Sequence, residues 1–150
     1  KSIDNKLKNF SINSINQINL SLTRKTGTIR GLHLQNIPYQ ETKLITCLKG
    51  KVFDVAVDLR RNSPTYLKWH SIQLESQKFN AIIIPEGCAH GFQTLENDCE
   101  LLYLHSNDWI PSSEMGVKYN DPNISIKWPM ECTLISKKDS NLPFLESSGL

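Results

Sequence analysis

The amino-acid sequence predicts an all-β fold, a jelly roll, on three observations. From Thr28 onward, short runs rich in Val, Ile, Leu and aromatic residues recur between turn signals. The clearest run, 52–59, alternates Phe53, Val55, Val57 and Leu59 with Val52, Asp54, Ala56 and Asp58, the period of two that a strand imposes on its faces. Pro38, Pro64, Pro85 and Pro111 fall between the runs, where a missing N–H costs no ladder bond, and helix signals are weak throughout.

In chain order, residues 1–20 are rich in Asn, Ser, Lys and Ile and read as a loosely ordered arm able to pair with an edge strand or a neighbouring subunit. Strands are expected at 28–35, 43–48, 52–59, 66–74, 79–84, 90–95, 100–105 and 125–128. Lys49-Gly50-Lys51 reads as a hairpin turn, and 137–150 as a short helix or a strap. There is no internal repeat or low-complexity linker, so 1–150 reads as one domain.

At 150 residues and 39% hydrophobic, the chain holds enough apolar side chain for one core. Its 17 Lys and Arg against 15 Asp and Glu give no electrostatic reason to expect a nucleic-acid groove or a membrane patch. Cys47, Cys88, Cys99 and Cys132 form no C-x-x-C pair and read as free thiols, which points to the cytoplasm. No apolar run approaches the roughly 20 residues that span a bilayer, and 1–20 has no apolar stretch of a signal peptide.

Three ionisable groups share strand faces with apolar residues: His33 with Ile29 and Gln35, Lys43 with Ile45 and Cys47, and Tyr103 with Leu101. Abstraction of a proton beside a carbonyl needs such a set, namely a base, a cation for the enolate oxygen and an acid for the return. Singly, each also has an ordinary structural explanation: a hydrogen-bonded core histidine, a lysine whose ammonium reaches water, a tyrosine with its hydroxyl at the rim.

The order of motifs adds to this. Arg30-Gly31-Leu32-His33-Leu34-Gln35 resembles the R-G-L-H-x-Q signature of the dTDP-4-dehydrorhamnose 3,5-epimerases. Lys43-Leu44 matches their K-L pair, and Asp54-Val55-Ala56-Val57-Asp58-Leu59-Arg60 their D-V-x-V-D-L-R strand, followed by Ser63-Pro64-Thr65 and Trp69. Ile84-Pro85-Glu86-Gly87-Cys88-Ala89-His90-Gly91-Phe92 is similar to I-P-x-G-x-A-H-G-F, and Tyr103, Pro111, Glu114, Asn120-Asp121-Pro122, Trp128-Pro129 and Lys138-Asp139 complete a series running from about 17 to about 145.

The resemblance implies a double-stranded β-helix, the cupin jelly roll, without metal or other cofactor, acting as a homodimer on a nucleotide-linked 4-keto-6-deoxy sugar, with dTDP as the expected nucleotide. It implies His33 as catalytic base, Asp139 as the carboxylate that orients it, Lys43 as stabiliser of the enolate and Tyr103 as acid on the opposite ring face. Arg30, Gln17, Asn19, Trp69, His90, Trp109 and Glu114 stand where the family contacts its ligand, Gln17 and Asn19 after a one-residue shift. In strict alternation Arg30 and His33 lie on opposite faces of their strand, and a bulge at Gly31 would bring both to the pocket. Trp109 replaces the family's second Tyr, exchanging a hydroxyl for a larger stacking surface. The family's F-x-D-x-R-G motif, which supplies an Arg and a Phe to the neighbouring nucleotide site, is not among these residues.

Three other readings stay open. A metal cupin is suggested by Pro85 to His90 and opposed by Gln35, since the first metal motif of that superfamily offers two His and a Glu. A sugar-binding module without catalysis need not retain His33, Lys43, Tyr103 and Asp139 together. An enzyme of the same fold that inverts a single centre, or a ketoisomerase, fits the same residues.

Overall fold

A computed structural model of the chain describes residues 15–150; the arm residues 1–14 lie outside the described residues. The ten strands are β1 (Gln17–Thr23), β2 (Thr28–Gln35), β3 (Lys43–Lys49), β4 (Lys51–Asp58), β5 (Trp69–Glu75), β6 (Ala81–Ile84), β7 (Cys88–Thr94), β8 (Cys99–His105), β9 (Glu114–Gly116) and β10 (Leu134–Ile135), followed by one helical turn, α1 (Lys137–Ser140). They form a four-stranded sheet in the order β1-β8-β3-β6, and a six-stranded sheet in the order β10-β2-β7-β4-β5 with β9 also on β2. All pairings are antiparallel except β10 with β2. Most strands adjacent in the chain lie in different sheets, which makes this the expected jelly roll.

Three expectations are corrected. Lys49-Gly50-Lys51 is not a hairpin turn: β3 pairs with β6 and β8 while β4 pairs with β5 and β7, so Gly50, at φ +78°, turns the chain from one sheet to the other. Residues 125–128 are not a strand. Ser125 sits at φ +56° with its N–H on the Asp121 carbonyl, and Ile126 and Trp128 pack on the core without a ladder. Residues 66–68 belong to a turn with Leu67 at φ +62°, so that strand begins at Trp69. The end of the arm, read as able to pair with an edge strand, does so: Gln17 to Leu20 pair with β8 as the first half of β1.

Between the sheets lie Ile45, Cys47, Val52, Leu74, Ile82, Ile84, Cys88, Phe92, Cys99 and Leu101. A second cluster on the far side of the larger sheet joins Leu32, Leu34, Val55, Val57, Leu59, Ala89, Val117 and Ile124, with Met115, Ile126, Trp128, Leu145 and Leu150 packed on it. Strand β4 is thus buried on both faces: its mixed face, Val52 and Ala56, looks into the space between the sheets, and its apolar face lies under the C-terminal segments. The four cysteines are free, with Cys47, Cys88 and Cys99 buried and Cys132 partly exposed. Among the described residues no helix is long and apolar enough to cross a membrane.

Candidate active site

The site grows out of cross-strand register. Gln17 stands opposite His105 and His105 opposite Lys43; one row deeper, Asn19 stands opposite Tyr103 and Tyr103 opposite Ile45. Residues directly opposite on neighbouring strands share a face, so β1, β8 and β3 present two rows of side chains to the interior. On the other sheet His33 pairs with His90, and His90 with Ala56. The register of β2 against β7 shifts between Arg30 and His33. This is the expected bulge, with Gly31 at φ +109° close against Gly91, and it turns both Arg30 and His33 to one cavity of about 960 Å³.

That cavity is lined by ten of the eleven residues singled out in the sequence: Gln17, Asn19, Arg30, His33, Lys43, His90, Tyr103, Trp109, Glu114 and Asp139. The eleventh, Trp69, is placed elsewhere. It stands opposite Val57 on β5 and packs against the second core cluster.

His33 Nε2 lies 2.8 Å from Asp139 Oδ1, while the Gly31 N–H donates to Asp139 Oδ2 at 3.3 Å. An ionised carboxylate can only accept, so Nε2 carries the ring proton and Nδ1 keeps the lone pair that could take another. Nδ1 is 3.9 Å from Glu114 Oε1, so an imidazolium here would lie between two carboxylates. Burial acts to raise the Asp139 carboxyl, but the hydrogen bond and charge of His33 outweigh it and leave the group below its usual range. Asp139 is placed by α1, where its own N–H donates to the Ser136 hydroxyl.

Lys43 points into the cavity with only 10% of its side chain exposed, and its ammonium lies 3.3 Å from Glu41 Oε1. Tyr103 is half-buried, its ring edge-on to His90 and stacked on His105, with centroids 5.9 Å apart in both cases. Burial, and next the Asp54 carboxylate, push the phenol well above its ordinary value, so at neutral pH it holds its proton. A base, an ammonium and a phenol around one cavity can remove a proton from carbon, hold an enolate and return a proton.

Sequence reasoning missed Glu41 and Asp54, and His105 is a further polar group on the cavity wall. Glu41 is bound by His105 as well as Lys43, and Asp54 holds His90 Nε2 at 2.9 Å. The usable signal was polar type at an inward strand position: Asp54 lies on the mixed face of β4, and His105 two residues beyond Tyr103. Gln35, at the position where a metal cupin offers a ligand, instead ties loop backbone together, donating to the Tyr39 and Asp108 carbonyls and accepting from the Ile110 N–H. Among the described residues no group of three or more His, Cys, Asp or Glu is placed to hold a metal ion.

The sequence model described as dTDP-4-dehydrorhamnose 3,5-epimerase matches residues 3–147. The chain belongs to this epimerase family. It is 44% identical over 115 residues to the dTDP-4-dehydrorhamnose 3,5-epimerase of Shigella flexneri, covering 77% of this chain and 64% of that protein. It is 39% identical over 125 residues to a dTDP-4-dehydrorhamnose 3-epimerase of Streptomyces niveus, covering 83% and 60%. Among solved structures, RmlC of Legionella pneumophila, crystallised with dTDP-4-keto-L-rhamnose, superposes with a TM-score of 0.88 at 34% identity, over 98% of this chain and 79% of that one. The chain thus spans less than two thirds of these two curated epimerases.

Proposed function

We propose that this chain epimerises a nucleotide-linked 4-keto-6-deoxy sugar, with dTDP as the nucleotide. The observation that carries the reading is the His33–Asp139 pair, at 2.8 Å, on the wall of the cavity that Lys43 and Tyr103 also line. A C–H beside the C4 ketone breaks, its proton passes to His33 Nδ1, and the electron pair moves onto the ketone oxygen as an enolate. Asp139 and Glu114 favour the imidazolium, and Lys43 favours the oxyanion as its charge develops. Tyr103 gives its proton to the same carbon from the other face; the phenolate then takes a proton from water, and the His33 imidazolium returns its own to solvent. His90, Trp109, Arg30, Gln17, Asn19 and Glu114 bind the sugar nucleotide around these groups.

We assign the working form to a cytoplasmic homodimer. The outward face of β1 supports the dimer, because Ile18, Leu20 and Leu22 are 63%, 65% and 43% exposed and form an apolar stripe along a sheet edge. The Streptomyces niveus relative, named a 3-epimerase, favours inversion at a single centre as the second reading. Incubation with a dTDP-4-keto-6-deoxy sugar in heavy water, followed by NMR, separates the possibilities. Deuterium at C3 and C5 supports the double epimerase and deuterium at C3 alone the second reading. Absence of exchange with bound sugar nucleotide would leave a binding module.

A further inference from the structure

We propose that Glu41 and His105 are positioning residues that tie the Lys43 ammonium to the loop carrying Trp109 through one hydrogen-bond chain of fixed direction. What Lys43 does rests on the epimerase reading above; the chain itself rests on geometry. It starts at a group with no alternative, since the backbone N–H of Trp109 can only donate, and it meets Gln17 Oε1 at 2.8 Å. The Gln17 amide is thereby oriented, and its Nε2 donates to Asn19 Oδ1 at 2.9 Å. Asn19 then presents Nδ2 to His105 Nε2 at 3.3 Å, so this ring nitrogen must accept and the ring proton sits on Nδ1. From Nδ1 the proton is shared with Glu41 Oε2 at 2.6 Å, and Glu41 Oε1 faces the Lys43 ammonium.

Glu41 and His105 are 7% and 8% exposed, so solvent does not replace a missing partner of these two, whereas the bonds of Gln17 to Asn19 and Trp109 are exposed. Only a carboxylate at position 41 accepts from both the imidazole and the ammonium. A glutamine has one acceptor oxygen. To satisfy Lys43 it must turn its NH2 to His105, which then has to move its proton to Nε2. Asn19 must flip in turn, then Gln17, and the conflict ends at an N–H of the main chain that cannot turn round. The charge of Lys43 and the seating of the Trp109 loop thus share one register. Lys43 is held in place before substrate arrives, by a counter-charge that is itself locked from the far side of the cavity.

Two measurements test this. In histidine-15N-labelled protein at neutral pH, long-range proton–nitrogen correlation, with His105 identified through His105→Asn, should show Nδ1 protonated and Nε2 bare. A proton on Nε2, alone or together with one on Nδ1, overturns the chain. This readout needs no substrate, so loss of the epimerase reading would leave it standing. In the second arm, Glu41→Gln should lower the solvent-exchange kcat by roughly ten- to a hundredfold with KM nearly unchanged, because Lys43 is misplaced at the reacting centre. Gln17→Ala frees the far end, so the double variant should exchange faster than Glu41→Gln alone. Residues acting separately would multiply their losses, and that result overturns the coupling.

Discussion

Replacing Asp139 by Asn puts the proposed base to its sharpest test, because the structure fixes what each atom of the new amide would meet. The wild-type carboxylate, in a residue 3% exposed, accepts from His33 at 2.8 Å and from the Gly31 N–H at 3.3 Å. An amide has one oxygen for these two donors. If the oxygen stays on His33, the NH2 is turned against the Gly31 N–H, and a buried donor left unpaired costs about 1–3 kcal/mol. If the oxygen turns to Gly31, the NH2 demands the His33 Nε2 lone pair and the ring proton moves to Nδ1, the nitrogen proposed to act as base. The second arrangement is preferred by that same margin, so a competent ring is present in about one molecule in six to one in 160. Loss of the carboxylate's support for the imidazolium removes roughly another 1–2 kcal/mol. Solvent exchange into a dTDP-4-keto-6-deoxy sugar should therefore fall by about 30-fold to 5 × 10³-fold, with far-ultraviolet circular dichroism unchanged. A rate within threefold of wild type would refute the assignment. The pH dependence has a definite sign: the folded carboxyl lies below its unfolded value, so its stabilisation is present above the unfolded pKa and is lost as pH falls through the folded one. The Tm gap between wild type and Asp139→Asn should be widest near neutrality and close in acid.

Tyr103→Phe keeps the two ring contacts and removes the proposed donor, so inversion should fall by roughly 10² to 10⁴ while washout of the substrate proton falls less; an unchanged ratio of deuterium incorporated to sugar inverted removes Tyr103 from the acid role. Gly31→Ala should cost about 3 kcal/mol or more, read as a shift in denaturation midpoint, since a Cβ there would come within 2.6 Å of both Gly91 Cα and the His90 carbonyl at a φ of +109°. A loss under 1 kcal/mol would mean that the bulge relaxes cheaply. Burial holds the Cys47 thiol at about 11 and pushes Cys88 and Cys99 upward, so iodoacetamide at pH 8 should label Cys132 first and the other three only after denaturation. Mass spectrometry of the native protein with several rapid labels contradicts the burial.

What could be read from the sequence follows from where period-two alternation meets a buried face. The strands from 28 to 105 were visible because each buries at least one apolar face, and the pairing of Arg30 with His33 in one cavity was visible because a glycine inside a strand marks a bulge. Strand β1 was read only as an arm able to pair with an edge strand, although Gln17, Asn19 and Ser21 alternate strictly with Ile18, Leu20 and Leu22. Here the code runs inside out, with polar residues on the cavity and apolar ones outward. β9 and β10, of three and two residues, are too short to carry a period. Trp69 kept its family position but not the cavity, because its side chain packs on the far side of the larger sheet, which a linear motif does not reveal. Glu41 escaped for another reason: it precedes β3, where no alternation assigns it a face.

The carboxylates also explain why two groups around one cavity differ in character. Asp139 accepts directly from His33, so its charge favours adding a proton to that ring. Asp54, fully buried, spends one oxygen on His90 and has no hydrogen-bond partner for the other among the described residues. Its charge reaches Tyr103 without accepting the phenol's proton, and with burial it makes the phenolate costly. One carboxylate thus favours the protonated form of an imidazole and the other that of a phenol, but the consequences are opposite. In its neutral form the imidazole has a lone pair to fill, whereas the phenol, kept protonated, has only a proton to give. The two proposed roles differ in what surrounds each ring: Asp139 accepts directly from the imidazole of His33, whereas burial first, and the Asp54 charge second, hold the proton on the phenol of Tyr103.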